Sequence, residues 1–252
     1  MRYAIVTGTS KGLGAAIARH LLEQGIHVIG IARNRNKELI KVATERNVSY
    51  QHFICDLANG DQIDHVFATI NDQIFKTGTQ RVYLINNAAT VNPIDTVANH
   101  TMEAIQAHMQ INLVAPMLTT SLVLKKAKSY AIPTVVVNIT SGAANRSTYG
   151  WSAYGASKAG LDRYTNTVAL EEQELNTNNK AILFDPSIMD TSMQQDIRSV
   201  DKEAFADVEQ FKRYKEEKQL RDTTVVAEVL VNLLVDDDQI ENGKYYSIKQ
   251  YV

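Results

Sequence analysis

Residues 7–14, Thr7-Gly8-Thr9-Ser10-Lys11-Gly12-Leu13-Gly14, decide the fold. They follow an apolar run, Tyr3–Thr7, and open a segment of helical period, Gly12–Gln24. Glycines at this point allow a tight turn and let backbone N–H groups approach a pyrophosphate closely. The helix N-terminus adds a field that favours anions. A glycine triplet alone says little, since turns use glycine freely. A strand before it and a helix after it give it meaning.

The same alternation continues outward. His27–Ile31, Tyr50–Cys55, Val82–Asn86, Thr134–Ile139 and Ala181–Phe184 read as strands, with Tyr245–Ile248 as the last. Several are nearly continuous in Val, Ile and Leu, which suits strands covered on both faces of a parallel sheet. Lys37–Arg46, Asp61–Ile74, Thr101–Ala127, Ser152–Glu174 and Thr224–Leu234 carry helical spacing between them. Alternating β and α predicts a Rossmann-type, doubly wound α/β fold. Its seven-stranded parallel sheet has helices on both faces, in a single domain over residues 1–252. Ligands in such sheets sit beyond the carboxyl ends of the strands. Ile188 to about Arg221 breaks the rhythm. It mixes charge with Met189, Met193, Ile197, Phe205, Val208, Phe211 and Tyr214. It reads either as a surface helical hairpin packed on the body or as a mobile lid over the strand ends.

Composition narrows the function. Apolar residues are 44% and charged residues 21%, which excludes a disordered chain. Basic and acidic residues number 26 and 28, so no basic excess recruits nucleic acid. Cys55 is the sole cysteine, which excludes an intrachain disulfide and a cysteine-based zinc site. No metal is expected, and a reducing cytoplasm is the expected setting. The N-terminus shows no leader-like apolar segment. No apolar run approaches the length of a membrane span.

Tyr154 and Lys158 stand four apart at the start of a predicted helix, so both face one side. A free phenol, with a pKa near 10, is a poor acid–base group at neutral pH. A lysine cation beside it is expected to favour the phenolate and bring the pKa down. Alone, the pair reads as well as a solvated helix face. Ser141 lies just beyond the strand ending at Ile139, hence at a strand's carboxyl end.

Together these residues resemble the short-chain dehydrogenase/reductase family over nearly the whole chain. The turn has that family's TGxxxGxG spacing. Asn86-Asn87-Ala88-Ala89 resembles its NNAG, with Ala89 for glycine, and Asp185-Pro186-Ser187 its PG element, with Ser187 for glycine. The resemblance implies a catalytic set of Asn112, Ser141, Tyr154 and Lys158. Ser141 would bond the substrate carbonyl, and Tyr154 would donate a proton as hydride arrives. Lys158 would lower the tyrosine pKa and bind the nicotinamide ribose. Asn112 would hold a water in the proton relay through its backbone environment. Cofactor contacts are implied for Gly8, Ser10, Lys11, Gly12, Leu13 and Gly14 in the turn. Further along they are implied for Asp56, Leu57, Asn87, Ala88, Tyr154, Lys158, Pro186, Ile188 and Thr191.

The end of the second strand, Ile31-Ala32-Arg33, lacks the carboxylate that would grip an NAD ribose. Arg33 instead suits a 2′-phosphate, with Lys11 as the second basic residue, so the expected cofactor is NADP(H). Within the family the resemblance runs to carbonyl reductases of aromatic 1,2-diketones, in the sepiapterin reductase-like group. It implies a small-molecule carbonyl substrate in an apolar pocket lined by Ser141, Ala143, Trp151, Tyr154, Met189 and Met193. A pterin reductase is the alternative; it would need a lid acid such as Asp207 or Glu209. A non-catalytic NADP-sensing protein is the alternative of another class. The segments Thr101–Ala127 and Ser152–Glu174 match the helices through which family members pair, so a homodimer is expected.

Overall fold

The computed structural model describes residues 1–236 and 239–252. Seven parallel strands form one sheet in the order β3-β2-β1-β4-β5-β6-β7. They are β1 (Arg2–Thr7), β2 (His27–Ile31), β3 (Tyr50–Phe53), β4 (Arg81–Asn86), β5 (Thr134–Ile139), β6 (Lys180–Asp185) and β7 (Tyr245–Ser247). The helices are α1 (Gly12–Glu23), α2 (Lys37–Glu45), α3 (Gly60–Ile74), α4 (Met102–Met109) and α5 (Ala115–Tyr130). After them come α6 (Ser152–Glu174), α7 (Ser192–Arg198), α8 (Val208–Glu216) and α9 (Thr223–Val235). Among the described residues, no helix is long and apolar enough to cross a membrane.

Strand alternation divides the core into two layers. Ala4 and Val6 of β1, Tyr83 and Ile85 of β4, and Val135 and Val137 of β5 pack with α1 and α9. Ile5, Val82, Leu84 and Val136 point the other way, against α3 and α5. Each fully buried aliphatic side chain contributes roughly 1.5–3 kcal/mol, so the sheet face that each residue takes is strongly specified. The strand order reverses between β1 and β4, which opens a crevice at their carboxyl ends. Thr7 locks that edge. Its hydroxyl accepts from the N–H groups of Asn87 (2.9 Å) and Ala88 (3.0 Å), and its carbonyl accepts from Asn87 Nδ2 at 2.9 Å.

Two expectations need correction. The segment 101–127 is not one regular helix: a π-helical turn, Gln110–Val114, separates α4 from α5. Ala115 N–H reaches back five residues to Gln110 O. Pro116 supplies the reason, because it has no N–H to give to the Asn112 carbonyl four residues earlier. The third strand ends at Phe53 rather than Cys55. Cys55 is buried in the α3-side core.

Residues 188–221 form a helical pair, α7 and α8, closed at its base. Met189 and Arg221 make a parallel bridge, with Arg221 N donating to Ile188 O and Asp190 N to Arg221 O, each at 3.1 Å. Its apolar residues are inward: Phe205, Val208, Phe211 and Ile197 are buried against Val91, Ile94, Ala143, Trp151 and Tyr154. Gly150 permits this approach. Its φ is +81°, and a Cβ there would lie 2.1 Å from the Ala204 carbonyl.

Candidate active site

The crevice is a cavity of about 450 Å³ running along the carboxyl ends of the strands. The glycine turn, Ala32, Arg33, Asp56 and Leu57 line one part, and Ser141, Trp151, Tyr154 and Lys158 another. Strand order puts β3 and β5 on opposite sides of β1, so these two ends lie apart.

The turn fits a phosphate group. The α1 N-terminus at Lys11 has no side-chain cap, whereas α2, α3 and α4 are capped by Asn36, Asn59 and Thr101. Its first N–H groups are therefore left for an anion. A Cβ at Gly14 would meet Gly8 O at 2.3 Å and Asn87 Nδ2 at 2.4 Å, so only glycine lets the turn fold back on the strand ends. Lys11 and Arg33 are exposed at the rim, and Arg33 emerges from β2 where a carboxylate is absent. Ser10, Leu13, Asn87, Ala88, Pro186, Ile188 and Thr191 also line the cavity. Thr191 caps α7 through Gln194 N–H, at 3.4 Å.

At the other end Ser141 stands just past β5, its Oγ accepting from Ala143 N–H at 3.2 Å. Tyr154 and Lys158 rise from the first turns of α6 and are 7% and 3% exposed, which makes the solvation of both charges poor. Burial is the largest influence on both groups. Lys158 Nζ donates to the Ile139 carbonyl at 2.8 Å and lies 5.9 Å from the Tyr154 ring centroid. Burial raises the phenol above its ordinary value, partly offset by the Ser141 hydroxyl, and the Asp185 charge raises it further. Burial brings Lys158 down to about 8. Burial thus favours the protonated phenol, the form that donates a proton.

Asn112 does not line the cavity. It is buried in the π turn, where its Oδ1 accepts from Thr90 N–H (2.9 Å) and its Nδ2 donates to Thr90 O (2.8 Å). It thus fixes Thr90, which does line the cavity. Ala143 is buried behind the wall with Trp151 and Tyr154. Met189 and Met193 both line the cavity; Met193 also packs on that aromatic group, and Met189 on the α1 and α9 side of the core. Trp151 stacks on Phe205 at 4.9 Å and meets Tyr154 and Phe211 edge-on at 5.2 and 5.5 Å. Asp207 and Glu209 are exposed, with Glu209 paired to Lys212 at 2.7 Å.

Sequence reasoning missed Thr90, His108, Ser157, Gln194 and the site role of Phe211. Two of these left a signal. Ser157 sits inside the Tyr154–Lys158 turn, and His108 is four residues before Asn112 on one helical face. A buried polar chain ties the surrounding elements: Asn86 Nδ2 donates to Asn138 Oδ1 (2.9 Å), and Asn138 Nδ2 to Thr165 Oγ1 (2.8 Å). Among the described residues, no group of three His, Cys, Asp or Glu could hold a metal ion.

The chain is 39% identical to a benzil reductase ((S)-benzoin forming) of Bacillus cereus over 250 residues, covering 99% of this chain and all of that one. It is 38% identical to the protein of the same description from Bacillus subtilis (strain 168), over the full length of both. The crystal structure of the YIR035C short chain dehydrogenase/reductase from Saccharomyces cerevisiae superposes with a TM-score of 0.82 at 28% identity. It covers 98% of this chain and 96% of its own. Residues 2–202 match the short chain dehydrogenase family model, and the chain belongs to that family of oxidoreductases.

Proposed function

We propose that the protein is an NADPH-dependent carbonyl reductase that reduces one carbonyl of an aromatic 1,2-diketone. The observation that carries this reading is the aromatic wall of Trp151 and Phe211 on the cavity, backed by the buried Phe205, with Trp151 edge-on to Tyr154. A flat aryl ketone matches such a wall in shape and in lack of charge. The two Bacillus relatives, described as benzil reductases, support it. Arg33 and Lys11 at the rim support the 2′-phosphorylated cofactor over NAD.

A dinucleotide held by the glycine turn and by Lys158 would supply hydride to the carbonyl carbon. Ser141 Oγ donates to the carbonyl oxygen and orients it. Tyr154, kept protonated by burial, gives its proton to that oxygen as it becomes an alkoxide, and recovers one from solvent. The diketone thus gains a hydride and a proton and leaves as an α-hydroxyketone. Residues 188–221 serve as the lid and keep water from the reacting carbonyl. The product carries a hydroxyl into an apolar enclosure, which disfavours a second round. The pterin reading lacks its acid: among the described residues lining the cavity, the only carboxylate is Asp56, at the β3 end.

The test follows NADPH absorbance with benzil, diacetyl and sepiapterin. Benzil is expected to turn over best, and Tyr154→Phe to abolish turnover while NADPH still binds. Turnover of sepiapterin without benzil would overturn the substrate. Substantial turnover by Tyr154→Phe would overturn the acid.

A further inference from the structure

His108, at the end of α4, is 1% exposed and plays no part in the chemistry above. Its Nδ1 lies 2.7 Å from the Asn92 carbonyl oxygen, which only accepts, so Nδ1 carries the proton. In the neutral ring Nε2 is then an acceptor. Two groups face it, Asn112 Nδ2 and Ser157 Oγ, each at 3.0 Å. The Ser157 hydroxyl proton is already given to the Tyr154 carbonyl at 2.9 Å. Asn112 Nδ2 has two hydrogens, and one goes to Thr90 O. The second goes to His108 Nε2 at 3.0 Å, the nearer acceptor, rather than to Ser157 Oγ at 3.4 Å.

We propose that His108 is a positioning residue: its neutral ring, as the acceptor for Asn112, fixes the amide that holds Thr90 at the cavity edge. The ring also lies edge-on to Tyr154, at 6.2 Å between centroids and 84° between planes. A cationic ring would carry a hydrogen on Nε2 and face the Asn112 amide donor to donor. Asn112 Nδ2 would then turn its second hydrogen to Ser157 Oγ, 3.4 Å away, and the amide that holds Thr90 would shift with it.

The titratable groups facing His108 are Tyr154 and Lys158 of α6 and His100 ahead of α4. Burial, first, and the Lys158 and His100 charges hold the imidazole below its usual range. The neutral form is therefore the working form at neutral pH, and activity falls only as pH drops through that lowered range. Tyr154 does not produce such an acid limb, since it stays protonated there.

The assay rests on the carbonyl-reductase reading, so a second measurement stands apart from it. In the wild type, 15N NMR of the His108 ring is expected to show the neutral Nδ1–H tautomer at pH 7.5. A neutral Nε2–H tautomer or a cation would overturn the proposal whatever the substrate. His108→Phe is expected to lower kcat roughly tenfold or more with NADPH binding kept, the scale on which an unpaired buried amide acts. His108→Gln offers an amide oxygen to Asn112 and does not titrate. It is expected to recover most of that kcat and to lose the acid limb of the kcat/KM profile. An acid limb unchanged in His108→Gln would overturn the proposal, and this variant decides if His108→Phe does not fold.

Discussion

On the proposed NADPH reading, Arg33 would carry the choice between two cofactors that differ by one phosphate. It is exposed at the cavity rim beside Ala32, where a carboxylate would otherwise favour the unphosphorylated ribose. A hydrogen bond to a charged group is worth roughly 1.5–3 kcal/mol, about 10- to 150-fold in binding. Arg33→Ala is therefore expected to raise the KM for NADPH by at least tenfold and to leave that for NADH nearly unchanged. Steady-state kinetics with both cofactors decide it, and equal effects would remove Arg33 from the phosphate site. The residue scale also shows where sequence reading stops. That Tyr154 and Lys158 share a helix face is legible from their spacing. Their charge relation is not, because it depends on burial and on the Ile139 carbonyl that takes the ammonium. Spacing fixes which side chains meet, whereas pKa follows from everything else that surrounds them.

At the scale of elements, the segment 188–221 shows the same division. Its apolar residues mark a packed face, yet only the fold reveals that this face closes over Trp151. The π turn at Gln110–Val114 was hidden for a related reason: its signal is one missing N–H at Pro116 within an otherwise helical pattern. The glycine turn and the β–α alternation were plain, because each repeats a local period. Ser187, standing where relatives of this pattern have glycine, adopts φ +58°. The left-handed region costs an ordinary residue roughly 1–2 kcal/mol, so the side chain needs a use. It has one: Ser187 Oγ accepts from Arg221 Nη1 at 3.3 Å, beside the bridge that closes the base of the helical pair. Ser187→Gly relieves the backbone and releases the tether. Tm is expected to hold or rise while the KM for a bulky diketone rises several-fold, with diacetyl little affected. A lower Tm with unchanged KM would assign Ser187 to stability alone.

Among the described residues, exposed apolar side chains gather around the π turn and its flanking helices. Val114 at the end of the π turn and Met117 and Leu118 on α5 are 37%, 38% and 37% exposed, and their spacing puts them on one stripe. Met102 and Ile105 extend it along α4, and Leu170 of α6 is 56% exposed. The Tyr164 hydroxyl donates to the Met117 carbonyl at 3.3 Å, which holds α6 beside α5 as one surface. Single exposed apolar residues are ordinary, but a contiguous set marks an interface. In the expected homodimer a second copy would supply a complementary face by two-fold symmetry, since each stripe would meet its own image. The π turn that carries Asn112 lies directly before this stripe, so pairing would also stiffen the site. Light scattering at micromolar concentration is expected to give twice the chain mass. Met117→Glu sets two carboxylates near the axis and is expected to yield a folded monomer with a raised KM. A wild-type monomer at that concentration, or a Met117→Glu dimer of unchanged stability, would place the contact elsewhere or remove it.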